Sequence, residues 1–211
     1  AYDERIAIAI TATSVDTDRV ADLHSDAADL VISGTTTEVL DGTEVIVSAV
    51  SASDAAYKLT DVTTTVTGNA WTATFTYDAA AFSGLKEGEI TITATLNDER
   101  TPEKLTDVVT IVNDKTTPDA PVIAGSKIDG TDVDGKLTTR STELYGTALN
   151  ETDGTITAVV YDTDGTAVET LNDTVDTNGD WRVTFGTELK VGYRVDVTVT
   201  DLAEHVSPVA T

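Results

Sequence analysis

The chain contains no cysteine and no methionine, so no disulfide can staple its 211 residues. A protein exported to an oxidising space without disulfides needs another staple, and a metal ion is the usual substitute. Bases are scarce as well: 13 Lys+Arg stand against 37 Asp+Glu, for a net charge of −24. Such a field disfavours nucleic acid and anionic membrane surfaces as partners, and favours divalent cations and cationic surfaces. No segment reaches the roughly 18 consecutive apolar residues of a membrane span, so no membrane insertion is expected. There is no Gly-x-Ser-x-Gly elbow, no His-Glu-x-x-His and no phosphate-binding glycine loop. His24 and His205 read as solvated loop residues, and no carboxylate pair is singled out for glycoside hydrolysis. An enzyme is not expected. No leader is legible, and the abrupt start at Ala1 fits an excised piece of something longer, expected to be monomeric as excised.

What is present is strand material. Hydrophobic residues make up 40% of the chain, mostly Val, Ile, Ala and Leu interleaved with Thr, which suits pleated strands and packed cores. Ile6–Ile10 alternates large and small apolar residues. Thr63–Thr67, Gly68-Asn69 and Trp71–Tyr77 read as a hairpin, the Gly/Asn pair supplying the positive φ of a tight turn. Helical periodicity is lacking, apart from a possible short turn at Asp78–Ser83. The second half repeats the first. Gly34-Thr35 recurs as Gly146-Thr147 and Asp41-Gly42-Thr43 as Asp153-Gly154-Thr155, both offset by 112. Trp71 and Phe75 recur as Trp181 and Phe185 (offset 110), and Leu85-Lys86-Glu87-Gly88 as Leu189-Lys190-Val191-Gly192 (offset 104). The falling offset places about six extra residues between Phe75 and Leu85, and strand parity sets Asp98 opposite Asp201. Both tryptophans read as repeated core anchors rather than exposed sugar platforms.

A period near 110 residues is far too long for a solenoid unit. About seven short strands per repeat, with turn signals between them, indicate an all-β chain of two tandem immunoglobulin-like Greek-key β-sandwich domains in an extended array. The expected boundaries are 1–114 and 115–211, with a linker at about 113–121. Pro118 and Pro121 stiffen that linker, and Asn113, Asp114 and Asp119 supply it with oxygen donors. Calcium takes about 6–8 oxygen ligands, often from several loops. In line, such sandwiches would bring the turn of Asp16 and Asp18 together with the linker. They would also bring in the Asn150-Glu151-x-Asp153 loop and the Asp201–Glu204 loop. A Ca2+ site at the joint is therefore expected from Asp16, Asp18, Asn113, Asp114, Asp119, Asp153, Asp201 and Glu204. Asp129, Asp132 and Asp134 form the counterpart of the first turn and would face a further domain, an incomplete second junction. That stretch is not an EF-hand loop, because Gly130 and the missing twelfth-position Glu break the pattern. Asp162–Gly165 and Asp176–Gly179 read as hairpin turns.

Thr116-Thr117-Pro118-Asp119-Ala120-Pro121-Val122-Ile123 and Asp201-Leu202-Ala203-Glu204-His205-Val206-Ser207-Pro208 resemble the starts and ends of bacterial Ig-like repeats. Such repeats build giant adhesins of Gram-negative bacteria, including repeats-in-toxin (RTX) biofilm and ice-binding adhesins. Glu204-His205 stands where that pattern usually has Gly-Asn. The resemblance implies type I secretion, an extracellular place on the bacterial cell surface, and calcium at domain junctions. It also implies an extender role in cell adhesion, with neighbouring repeats of the same chain as partners. The alternative is a ligand-binding adhesin module that uses sandwich loops, such as Asp78–Gly84 or Thr13–Asp29, for a carbohydrate or protein.

Overall fold

The computed structural model describes residues 5–15, 19–101, 103–128, 131–134 (backbone alone) and 137–211. The chain divides into two compact units, Ala1–Lys115 and Thr116–Thr211, and is all-β apart from one short helix among the described residues. The first unit runs β1 (Ala7–Thr13), β2 (Val20–Ala21), β3 (Leu30–Thr37), β4 (Glu44–Ser51), β5 (Val62–Thr65) and β6 (Ala70–Phe75). It continues with α1 (Ala79–Gly84), β7 (Gly88–Asn97) and β8 (Leu105–Asn113). One sheet has the order β1-β3-β6 and the other β2-β8-β7-β4-β5. Every second residue of the central strands is apolar and buried: Leu30 and Ile32, Val45 and Val47, Ile90 and Ile92. With a side-chain period of two, this sends one face of each sheet into a shared core.

The second unit runs β9 (Val122–Ile128), β10 (Thr131–Asp134), β11 (Glu143–Thr147), β12 (Thr155–Tyr161), β13 (Ala167–Thr174), β14 (Asp180–Thr184) and β15 (Arg194–Thr200). Its sheets are β10-β9-β11-β14 and β13-β12-β15, and Ile156, Val160, Val183 and Val197 join a core of their own. Strand pairing matches the two units residue by residue. Gly34 faces Trp71 across β3–β6, and Gly146 faces Trp181 across β11–β14. A Cβ on Gly34 would stand 2.2 Å from the Trp71 ring, and one on Gly146 2.8 Å from the Trp181 ring. The two repeated motifs are therefore one device. The glycine leaves the space that the indole fills, and both tryptophans are 3% exposed.

Three local readings change. The Gly68-Asn69 turn forms, with φ of 60° and 62° and reciprocal Thr67–Ala70 bonds. No hairpin ladder follows it, however, because β5 pairs with β4 and β6 with β3. The short turn expected at Asp78–Ser83 does form, within the extra residues of the first repeat, as α1; its Ala81 N–H is capped by the Asp78 carboxylate and its Phe82 is buried against Tyr77. The Asp-Gly-Thr repeat is slipped by one residue. Gly42 N–H donates to Val66 O as Asp153 N–H does to Val175 O, and Thr43 O accepts from Val66 as Gly154 O does from Val175. Asp153 thus stands where the first unit has Gly42, with φ +66° against +86°. Asp162–Gly165 closes the β12–β13 hairpin, with Asp162 Oδ1 accepting from Asp164 and Thr166. Asp176 Oδ1 likewise accepts from Asn178 and Asp180, but that turn is no hairpin, because β13 pairs with β12 and β14 with β11.

Candidate functional site

Strand β8 carries the first unit to its last residues. In phase with buried Val109 and Ile111, Asn113 points inward and is 0% exposed. Its Oδ1 accepts from Leu23 N–H at 3.2 Å, and its Nδ2 donates to Lys86 O at 3.0 Å. Those bonds commit the amide to backbone on both sides, so Asn113 secures the end of the strand. Strand parity was the overlooked signal. Asp114, out of phase, is half-buried, and its N–H donates to Ala21 O at 3.0 Å. Lys115 folds back: Nζ donates to Ser83 O and Leu85 O at 3.0 and 2.8 Å, and its N–H to Glu87 Oε2 at 2.9 Å. An ammonium at the last turn of α1 meets carbonyls that the helix leaves unpaired. The end of the insertion thus grips Lys115. Sequence reading missed this clamp, since nothing local links residue 115 to residue 83.

Asp16, Asp18 and Asp129 lie outside the described residues, and of Asp132 and Asp134 only the backbone, in β10, is described. Strand β10 pairs antiparallel with β9, Thr131 opposite Ile128 and Asp134 opposite Gly125. Beside the first turn, Asp22 is 5% exposed, and its Oδ1 accepts from His24 and Ser25 N–H at 3.0 and 3.1 Å. His24 is half-buried rather than solvated, with Nδ1 enclosed and without a hydrogen-bond partner among the described residues.

In the second unit the pairing register fixes which loops share an end. Val122 pairs with Thr147, and Thr155 pairs with both Thr174 and Thr200. Asp119 before β9, the Asn150–Asp153 loop, the Asp176–Gly179 turn and the Asp201–His205 turn therefore lie at the end where the chain enters this unit. Asp119, Asp153 and Glu204 are exposed, and Asp153 and Glu204 both have φ +66°. Asp201 organises its turn. Oδ1 accepts from Ala203 and His205 N–H at 2.9 and 2.8 Å, and Oδ2 lies 3.1 Å from His205 Nδ1. At 17% side-chain exposure His205 is thus a carboxylate partner rather than a solvated loop residue. A carboxylate has about four lone-pair sites. Three are engaged here, so Asp201 can still lend one lone pair to a cation.

Asp98 follows β7 as Asp201 follows β15, since Glu44 pairs with Asn97 and Thr155 with Thr200. There the carboxylate is met by an internal cation: Arg100 Nη2 reaches Asp98 Oδ2 at 2.6 Å and Glu38 O at 2.8 Å. The same position is met by a guanidinium in one unit and by an imidazole in the other. Elsewhere, Asp176 has its carboxyl held below its ordinary value by the N–H of Asp180, then that of Asn178, both of which favour the ionised form.

No family model matches the chain, and no curated protein matches it. Solved structures do. A tetra-tandem repeat from the extending region of a large adhesion protein is 20% identical over 96% of this chain, at TM-score 0.38. A Ca2+-stabilised adhesin that helps an Antarctic bacterium reach out and bind ice is 20% identical over 96%, at 0.42. A structure concerned with host cell surface retention of a 1.5-MDa bacterial ice-binding adhesin is 20% identical over 96%, at 0.41. The chain spans 46%, 47% and 61% of those three chains. All three are pieces of adhesins, two of them bacterial and one a tandem-repeat region, the class that the linker and terminal motifs resemble. No helix among the described residues is long and apolar enough to cross a membrane. At this level of similarity the chemistry of the chain rests on its own residues.

Proposed function

We propose that this chain is an extender piece of a bacterial surface adhesin: two immunoglobulin-like Greek-key sandwiches in tandem, joined by a linker that Ca2+ stiffens. The observation that carries the reading is the shared end of Asp119, Asp153, Asp201 and Glu204 in the second unit, which is where the linker arrives. Four carboxylates from three chain segments are hard oxygen donors of the kind calcium takes. Asp114 is five residues before Asp119, at most about 18 Å of extended chain, so chain length leaves it free to join the same ion. Asp16 and Asp18 are the remaining expected donors from the first unit. Asn113 serves by holding the strand end from which Asp114 projects.

The role of the ion is electrostatic. The acids are spread over both halves, about −13 before residue 117 and −11 after it. Repulsion between them at the joint is screened only beyond about 8–10 Å at physiological salt. A divalent ion held by carboxylates from both sides cancels that repulsion locally and restricts bending, so that an array of such units holds a distal binding region away from the cell. Secretion to the outside and neighbouring repeats as partners follow from this role.

Small-angle scattering of the whole chain, with calcium and then with chelator, tests it beside a thermal melt. Calcium should lengthen the particle and raise the melting point, and Asp114→Ala with Asp119→Ala should remove both effects. A shape and melt that ignore calcium would leave the acids a solvated surface and end the proposal.

A further inference from the structure

The outer face of the β9-β11-β14 sheet differs sharply between units whose inner faces match. Register equates Ser33 with Tyr145, Thr72 with Arg182, Ala12 with Gly125 and Ala70 with Asp180. In the first unit that face is small and self-satisfied, with Ser33 Oγ and Thr72 Oγ1 hydrogen-bonded at 3.2 Å. In the second it is rebuilt around an aromatic ring. A Cβ on Gly125 would stand 2.7 Å from the Tyr145 hydroxyl, so the glycine makes room for the tyrosine to lie across β9. Lys127 Nζ stands 5.6 Å from that ring's centroid. Beside it the Arg182 side chain is 61% exposed and pairs only loosely with Glu143, at 3.8 Å. Asp173, reaching over from β13, accepts the Arg182 N–H at 2.6 Å. Tyr145, Lys127, Arg182, Asp173 and Asp180 line one groove of about 670 Å3, within the size range of small-molecule sites.

We infer that this groove is a binding site for a neutral saccharide. The Tyr145 ring, lying on Gly125 with Lys127 over it, offers a sugar its edge and the hydroxyl at its tip. Lys127 and Arg182 donate, while Asp173 and Asp180 accept, so a ring bearing hydroxyls, each both donor and acceptor, finds a partner for every group. Charges of both signs along the walls favour an uncharged ligand over an anion. The site lies on a sheet face, with Asp176 of one end turn at its edge, and needs neither the joint nor its cation. It would make the second unit a surface reader as well as a spacer.

The test is amide-resolved NMR titration of the full chain with maltose, lactose and N,N′-diacetylchitobiose, run in chelator so that the joint plays no part. Glucuronic acid is the anionic comparison. The expected result is a saturable shift confined to residues around Tyr145, Lys127 and Arg182 for at least one neutral sugar. Tyr145→Ser and Arg182→Thr install residues that the first unit already carries at these places. Each should weaken binding by about tenfold or more with the melting point nearly unchanged. If Tyr145→Ser unfolds the unit, Arg182→Thr alone decides. The inference is overturned if no neutral sugar binds, if only the acid binds, if the shifts map elsewhere, or if the variants bind as the parent does.

Discussion

Replacing Gly34 by alanine tests the repeated packing device directly. The new Cβ would stand 2.1 Å from the Ala9 carbonyl oxygen and 2.2 Å from the Trp71 ring. Neither neighbour can yield cheaply: the carbonyl belongs to the paired strand β1, and the indole is 3% exposed. Overpacking of a core typically costs about 1–3 kcal/mol, and backbone on one side with an enclosed ring on the other puts this case near 3 kcal/mol. For a unit of this size that is a fall of about 12 °C in melting temperature. Gly84→Ala is the matched control, because nothing lies within 4 Å of its added Cβ and it ends a helix. It should be neutral or stabilise by up to about 1 kcal/mol. Urea unfolding followed by tryptophan fluorescence reads both, with one tryptophan in each unit. Gly34→Ala within about 0.5 kcal/mol of the parent would refute the steric reading of the Gly–Trp pair.

Two further outcomes are expected. Asn113→Ala strands the buried Leu23 N–H, at about 1–3 kcal/mol, and also removes the donor to the part-buried Lys86 carbonyl, so the urea midpoint should drop even in chelator. An effect seen only with calcium present would return Asn113 to the ligand set. Asp176 should titrate below its ordinary value of 3.8 in a carboxyl-detected NMR titration. Its folded value is depressed, so its contribution to stability is complete above the unfolded value and is lost as pH falls through the folded one. Asn178→Pro, which removes one donor N–H, should move the titration back upward, and an unchanged curve would dismiss that hydrogen bond as a cause.

The internal repeat, the all-β character and the burial of both tryptophans were legible in the sequence, because a two-residue side-chain period and the spacing of large residues are written along the chain itself. The insertion between Phe75 and Leu85 was legible as a length difference, and its helix as a short turn at Asp78–Ser83. Chain pairing decided the rest. A one-residue slip puts Asp153 in the place of Gly42, since hydrogen bonds to Val66 and Val175 set the register and letter identity does not. Asn113 looks like an exposed ligand beside Asp114 until β8 fixes which of the two points inward. Lys115 and Ser83, or Tyr145, Gly125 and Arg182, have no local relation. Only adjacent strands and a returning helix bring them together, because side chains are matched across a sheet by register and not by distance along the chain.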